Sequence, residues 1–396
     1  MVRSSRRPNT AETWSRMRLR LICLLVLGAG YAGPVSAQTF QFRGEAAAAL
    51  TVNDVAPAST YLSARYVPEL FLETFLADDL TLDAMGSVDA SATARVVSAD
   101  SASSDGEVEP YRLWLRFGTS RFEARAGLQK IAFGSATLLR PLMWFDRLDP
   151  RDPLQITEGV QALLLRYYFL NNANVWFWGL LGNDETKGWE RLPSTRDDPE
   201  LGGRVQVPAG PGEVAVSYHH RRTDASAFAP PFVPAADTVF PEHRVALDGK
   251  WDATVGLWFE ASLVHQRTDL RERPYARLAV LGLDYTFDLG EGLTLLGEHF
   301  LSDTASAAFG TGEGSGISAF SVRYRWGVVD EVGAILNYDW QQDQLYAYAT
   351  WRRTYDRWGF NLIAFGNPDD ARVTPGATGD NLLAGAGAQL LVTYNH

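Results

Sequence analysis

The chain has 396 residues, enough for one large domain or two ordinary ones, and 46% of them are hydrophobic, far fewer than a helical membrane protein needs. A formal charge of −11 argues against a nucleic-acid partner. The single cysteine, Cys23, excludes a disulfide scaffold, a thiolate metal site and a cysteine nucleophile.

The first segment reads as a secretory signal peptide covering 1–37. Arg3, Arg6, Arg7, Arg16, Arg18 and Arg20 make a basic leader, 21–30 is a short apolar run, and Val35-Ser36-Ala37 has the small-residue pattern of a cleavage site. The mature chain then starts at Gln38, with Met17 as an alternative translation start. The leader carries six of the 36 basic residues and, in Glu12, one of the 47 acidic ones, so the remainder has a net charge of −16. An acidic surface of this kind suits loops bridged by divalent ions to lipopolysaccharide.

No run after Gln38 is long and apolar enough for a spanning helix; the dominant signal has period two. A first strand, 39–53, shows Phe40, Phe42, Ala46, Ala48, Leu50 and Val52 on one face. Over 80–96 the even positions Leu80, Leu82, Ala84, Val88 and Val96 are apolar, while Thr81, Asp83, Ser87 and Asp89 alternate with them. Soluble strands average about 5–6 residues, whereas a tilted membrane-spanning strand needs about 9–11. The spacing predicts eighteen strands, with sixteen as the alternative. They fall at 39–53, 60–76, 80–97, 110–118, 121–133, 159–170, 173–182, 203–208 and 213–222. The second half gives 242–251, 254–267, 275–288, 293–302, 316–327, 331–341, 344–355, 358–366 and 381–395. Val175-Trp176-Phe177-Trp178 is apolar on both faces, which places an infolded loop against its inner one.

Tight turns such as Ala77-Asp78-Asp79, Thr119-Ser120 and Asp356-Arg357 alternate with longer loops, among them 98–109, 134–158, 183–202, 223–241 and 367–380. That alternation is the mark of an up-and-down antiparallel barrel crossing a membrane, with an apolar exterior and a polar lumen. In lipid every backbone polar group needs a partner within the protein, so the sheet must close on itself. The expected fold is therefore an all-β transmembrane barrel with an infolded loop over 134–158, where Leu138, Leu139, Leu142, Met143, Trp144 and Phe145 are ill suited to water. Tyr66, Phe75, Trp326, Tyr338, Trp340, Trp358 and Tyr394 are expected as interfacial aromatics, and Trp114, Tyr346 and Tyr348 as lumen-facing ones.

Two segments carry a resemblance. Gly127-Leu128-Gln129-Lys130-Ile131-Ala132-Phe133-Gly134, then Leu139-Arg140-Pro141, Phe145-Asp146-Arg147, Asp149-Pro150-Arg151-Asp152-Pro153 and Gly159-Val160, resemble the G-x-Q strand and constricting loop of porin-like and alginate-export-type outer-membrane barrels. The end of the chain, Leu390, Val392, Tyr394 and His396, is similar to the signal read by the barrel-assembly machinery, with His in place of the usual final aromatic residue. The resemblance implies a passive outer-membrane channel for small hydrophilic solutes, anionic ones included, in contact with outer-membrane lipid and lipopolysaccharide. Export of an anionic polysaccharide and a barrel enzyme stay open as alternatives, as does assembly into homo-oligomers.

The candidate pore-lining residues are Arg112, Arg116, Arg121 and Arg125, a guanidinium ladder on adjacent strands, with Asp83 as opposite charge. Arg323 and Arg325 extend the basic lining elsewhere on the circumference, and Arg140, Asp146 and Arg147 belong to the loop. Charged rings in a narrow aqueous path select ions by sign. No cofactor or metal is expected. No G-x-S-x-G elbow is present, and Glu298 and His299, adjacent on a strand, point to opposite faces and cannot form a dyad with each other.

Overall fold

A strand can alternate without a break only if one face lies in an apolar medium along its whole length. In the computed structural model, the 19-residue strand Leu80–Ser98 does this. Outward-facing Val88 and Val96 are exposed at 42% and 38%, while Asp83 and Ser87 on the other face are buried. The structure describes residues 38–55, 58–98, 101–228, 234, 237–369 and 382–396; the expected signal peptide lies outside them.

Eighteen strands form the sheet. The first six are β1 (Gln38–Asn53), β2 (Ser59–Ala77), β3 (Leu80–Ser98), β4 (Ser101–Gly118), β5 (Phe122–Gln129) and β6 (Val160–Tyr168). Next come β7 (Asn174–Leu180), β8 (Glu200–Ala209), β9 (Gly212–Asp224), β10 (Val239–Asp252), β11 (Gly256–Gln266) and β12 (Tyr275–Phe287). The last are β13 (Leu293–Ala305), β14 (Gly312–Trp326), β15 (Asp330–Asp339), β16 (Gln344–Thr354), β17 (Trp358–Gly366) and β18 (Ala386–Asn395). Each pairs antiparallel with its sequence neighbours, and β1 also pairs with β18, so that Leu50 lies between Leu62 and Leu390. Closure leaves no free sheet edge. At the seam the backbones of Gly44 and His396 exchange hydrogen bonds of 3.2 and 3.1 Å, and the His396 ring takes the place of a terminal aromatic, 2.9 Å from the Tyr66 hydroxyl.

The strand count agrees with the sequence period; several boundaries differ, among them the starts of β14 (Gly312, expected at 316) and β18 (Ala386, expected at 381). β4 starts at Ser101 rather than 110, because Ser101–Pro110, paired with Val88–Ser98 of β3, is exposed at every position and so shows no alternation of buried and exposed faces. β5 stops at Gln129, where the chain turns into the lumen, rather than at 133. β8 begins three residues earlier than expected, with Glu200, Leu201 and Gly202 paired to β7.

The exterior is apolar around the circumference. Phe40, Leu62, Phe177, Val216, Leu281, Phe320 and Leu362 all point outward with exposures of 44–70%. Trp326, Trp340 and Trp358 are exposed at 69%, 62% and 48% near strand ends, as interfacial girdles require. A charge in the middle of this belt has no water to reach. Leu281→Arg is expected to cost about 2–4 kcal/mol of unfolding free energy. Denaturant titration of the protein folded into vesicles measures this, and a loss near zero would show that Leu281 is not in lipid.

Candidate functional site

The segment between β5 and β6, 130–159, folds into the lumen. Gly127 starts the departure: it sits at φ 118°, and a Cβ there would lie 2.2 Å from the Leu113 carbonyl oxygen. Gln129 is buried, and its side-chain amide donates to the Ala162 carbonyl at 2.9 Å. Ile131, Phe133, Leu142, Trp144 and Phe145 then pack on Val160, Leu164, Trp178, Leu180 and Ala246 of the wall. Phe133 stacks on Trp178 at 5.6 Å and Phe145 meets its edge at 5.4 Å, the contact that the two-sided apolar pattern of β7 calls for. Ala136, Leu138 and Leu139 reach the far wall, against Trp258, Val280, Phe300 and Ala319 on β11–β14.

A buried segment outside regular structure must find acceptors for its amides. Two wall carboxylates supply them. Glu298 on β13 accepts from the backbone N–H groups of Thr137, Leu138 and Leu139 at 2.6, 3.0 and 2.6 Å. Glu260 on β11 accepts from Ala136 at 2.7 Å and Leu142 at 3.2 Å. The Trp258 indole lies over Gly282, which has no Cβ to exclude it, and donates to Glu298 at 3.0 Å. Gly134, at φ 94°, lets the chain pass beside the Glu260 carboxylate.

A second loop, 181–199, also enters, where the sequence marked only a longer loop, 183–202, and expected insertion of 134–158 alone. Trp189 stacks on Phe300 at 4.4 Å and donates to the Arg140 carbonyl at 2.8 Å. Glu190 forms ion pairs with Arg221 at 3.0 Å and Arg244 at 2.6 Å, and both arginines also bind Glu242. Leu192 is buried with Ala225 and Phe240. The Trp and Leu in an otherwise polar stretch are the signal that could have shown the insertion.

The candidate pore residues divide into three groups. Arg112, Arg116 and Arg125 do share the inner wall of β4 and β5, and Arg166 of β6, absent from the sequence-based set, joins them. Arg116 is held by the buried Asp83 at 2.5 Å, and Glu123 lies 2.9 Å from Arg125 and 3.8 Å from Arg166. Arg112 donates to the Thr157 carbonyl of the inserted loop at 2.7 Å. Aromatic faces lie between the cations: Arg112 over Tyr111 at 3.8 Å, Arg125 over Trp114 at 4.8 Å and Arg166 over Trp176 at 3.9 Å. Arg140, Asp146 and Arg147 lie in the inserted loop, with Arg140 and Asp146 paired at 3.0 Å and the Arg147 backbone donating to Thr157.

Arg121, Arg323 and Arg325 do not join the cluster. Arg121 precedes β5 in the tight turn and is exposed, because the strand starts one residue later than its alternation suggests. Arg323 and Arg325 are exposed near the tight-turn end of β14, with Arg325 3.9 Å from Glu331.

OccAB4 of Acinetobacter baumannii superposes on this chain with a TM-score of 0.51 and 9% identity, covering 92% of this chain and 99% of that one. OccK7 (OpdD) of Pseudomonas aeruginosa gives 0.51 and 12%, covering 91% and 99%. An anion-selective porin from Comamonas acidovorans gives 0.50 and 10%, covering 91% and 100%. The chain is a porin-like barrel. No family model matches its sequence, and no curated protein does.

Within this porin-like lumen the wall beyond the arginines is differentiated. Tyr346, Tyr348 and Phe365 of β16 and β17 form an aromatic patch, and Arg151 of the inserted loop binds the Tyr348 hydroxyl at 2.8 Å. His219 and Glu200 lie 3.0 Å apart, but the other ring nitrogen accepts from Trp178 at 3.2 Å and the imidazole is 1% exposed. Closed off behind Phe145, this pair braces the loop. On the long-loop side, a cavity of 820 Å³ opens between both inserted loops and β10–β14.

Proposed function

We propose that the barrel is a passive outer-membrane channel for small hydrophilic solutes that favours anions. The observation that carries this reading is the charge imbalance in the arginine cluster on the inner wall: Arg112, Arg116, Arg125 and Arg166 have two carboxylates among them, Asp83 and Glu123, while Asp89 on the same face of β3 is already neutralised by Arg65 of β2. In a narrow aqueous path with low-dielectric walls, an excess of fixed cation raises the local concentration of anions. The apolar exterior supports a membrane location, and the inserted loop supports a lumen narrowed rather than left wide.

Purified protein in planar bilayers tests the reading. Stepwise conductance is expected, with a reversal potential under a potassium chloride gradient that reports chloride as the preferred ion. A silent bilayer would overturn the channel, and a cation-selective potential would overturn its preference.

A further inference from the structure

The outward face of the barrel breaks its own rule in one sector. Towards the long-loop end, outward positions on several other strands are aliphatic, among them Val52, Leu62 and Leu345. On β9, β10 and β11 the same level carries His220, His243 and His265, paired across the strands in a single row that ends at Tyr275 on β12. The next outward residues on this side are Arg222 and Arg267. Below the row the face returns to Val216, Val245, Leu247 and Leu257, exposed at 46–53%.

The rings are ordered by their neighbours. His220 and His243 stack at 4.7 Å, and His265 lies on Tyr275 at 4.2 Å with an interplanar angle of 4°. His220 Nδ1 donates to the Glu242 carbonyl at 3.2 Å, since a carbonyl only accepts, and His243 Nδ1 lies 2.8 Å from the Tyr218 hydroxyl. These bonds leave Nε2 of both rings unengaged: with the Tyr218 hydroxyl donating to Nδ1, His243 carries its proton on Nε2 and can donate it, whereas Nε2 of His220 donates to a phosphate only from the imidazolium. Arg222 has Asp198 at 3.5 Å, whereas Arg267 makes no ion pair with any of the described residues.

We propose that this histidine row, with Arg267, is a docking surface for the phosphorylated headgroup of a lipid in the leaflet on the long-loop side. The inference rests on the barrel lying in an outer membrane. A row of imidazole and guanidinium donors at the boundary between an apolar belt and water sits where a lipid phosphate lies, and charge-assisted bonds to phosphate are the strong ones. A second copy of the chain is the poorer occupant. The outward carboxylates near this level include Asp198, Asp224 and Asp303, and they are engaged by Arg222 at 3.5 Å, by the Ser226 amide at 2.8 Å and by Arg277 at 2.6 Å.

Native mass spectrometry of the full-length protein in detergent tests this, with bis-phosphorylated lipid A and its dephosphorylated form as probes. The wild type should retain the phosphorylated lipid at about tenfold lower concentration, the value of one charged hydrogen bond. His220→Leu/His243→Leu/His265→Leu/Arg267→Gln should lose that discrimination while conducting as the wild type does in planar bilayers. The leucines suit a lipid-facing position, so folding is preserved, and heat-dependent gel mobility verifies it. Equal retention of the two lipids by the wild type would overturn the proposal, as would undiminished discrimination in the variant. A variant that changed oligomeric state but kept its lipid preference would reassign the surface to a second copy. Failure of the wild type to enter any bilayer would instead remove the membrane reading beneath it.

Discussion

Glu298→Ala is expected to release the inserted loop and raise single-channel conductance. The carboxylate accepts three consecutive backbone N–H groups of the loop and the Trp258 indole; the Leu138, Leu139 and indole bonds are buried, and the Thr137 bond is partly so. Removing it leaves donors with no acceptor in a site closed by Trp258, Val280 and Phe300. Each unsatisfied buried donor costs about 1–3 kcal/mol, so the buried Leu138 and Leu139 amides together cost roughly 2 kcal/mol or more. That raises the open fraction of the loop on the order of thirtyfold. The wall should persist, because β13 keeps its pairing to β12 and β14. Glu260→Ala, which strands two loop amides instead of three, should act in the same direction and more weakly. Larger and noisier current steps, with new protease cleavage within 130–159, are the expected readout. Unchanged conductance and an uncleaved loop would mean that apolar packing alone holds the segment.

The parts of this arrangement visible in the sequence are those imposed by a continuous solvent boundary. Lipid outside and water inside force period two, so the eighteen strands could be counted. Where the boundary disappears, so does the signal. Ser101 to Pro110 of β4 meets water on both faces and therefore reads as loop. The inserted loop was legible for the opposite reason, since Leu138, Leu142, Trp144 and Phe145 have no place in water and had to enter the barrel. Its anchors were not legible. Glu260 and Glu298 are single carboxylates on distant strands, 118 to 161 residues from the amides they bind, and nothing local marks them. Arg166 was missed because its neighbours Leu163, Leu164 and Leu165 are all apolar: Leu163 faces lipid while Leu164 is buried under the loop, which hides the alternation.

That same arginine gives the second large effect, the loss of anion preference in Arg125→Gln/Arg166→Gln. With Asp89 neutralised by Arg65 of β2, the cluster on the wall of β3–β6 has four guanidiniums against Asp83 and Glu123, an excess of two positive charges. Arg116 is unsuitable for removal, because it neutralises Asp83, which is fully buried and would be left as an unpaired charge. Arg125 and Arg166 share the single partner Glu123, so removing both cancels the excess and leaves a partly accessible carboxylate facing the lumen. The reversal potential should fall towards zero in the double variant and change sign when Arg112→Gln is added. A stepwise shift that follows the charge count would place the selectivity on this wall. If the triple variant kept the wild-type potential, the selecting field would have to come from the inserted loops, where Arg147 and Arg151 are the next cations to neutralise.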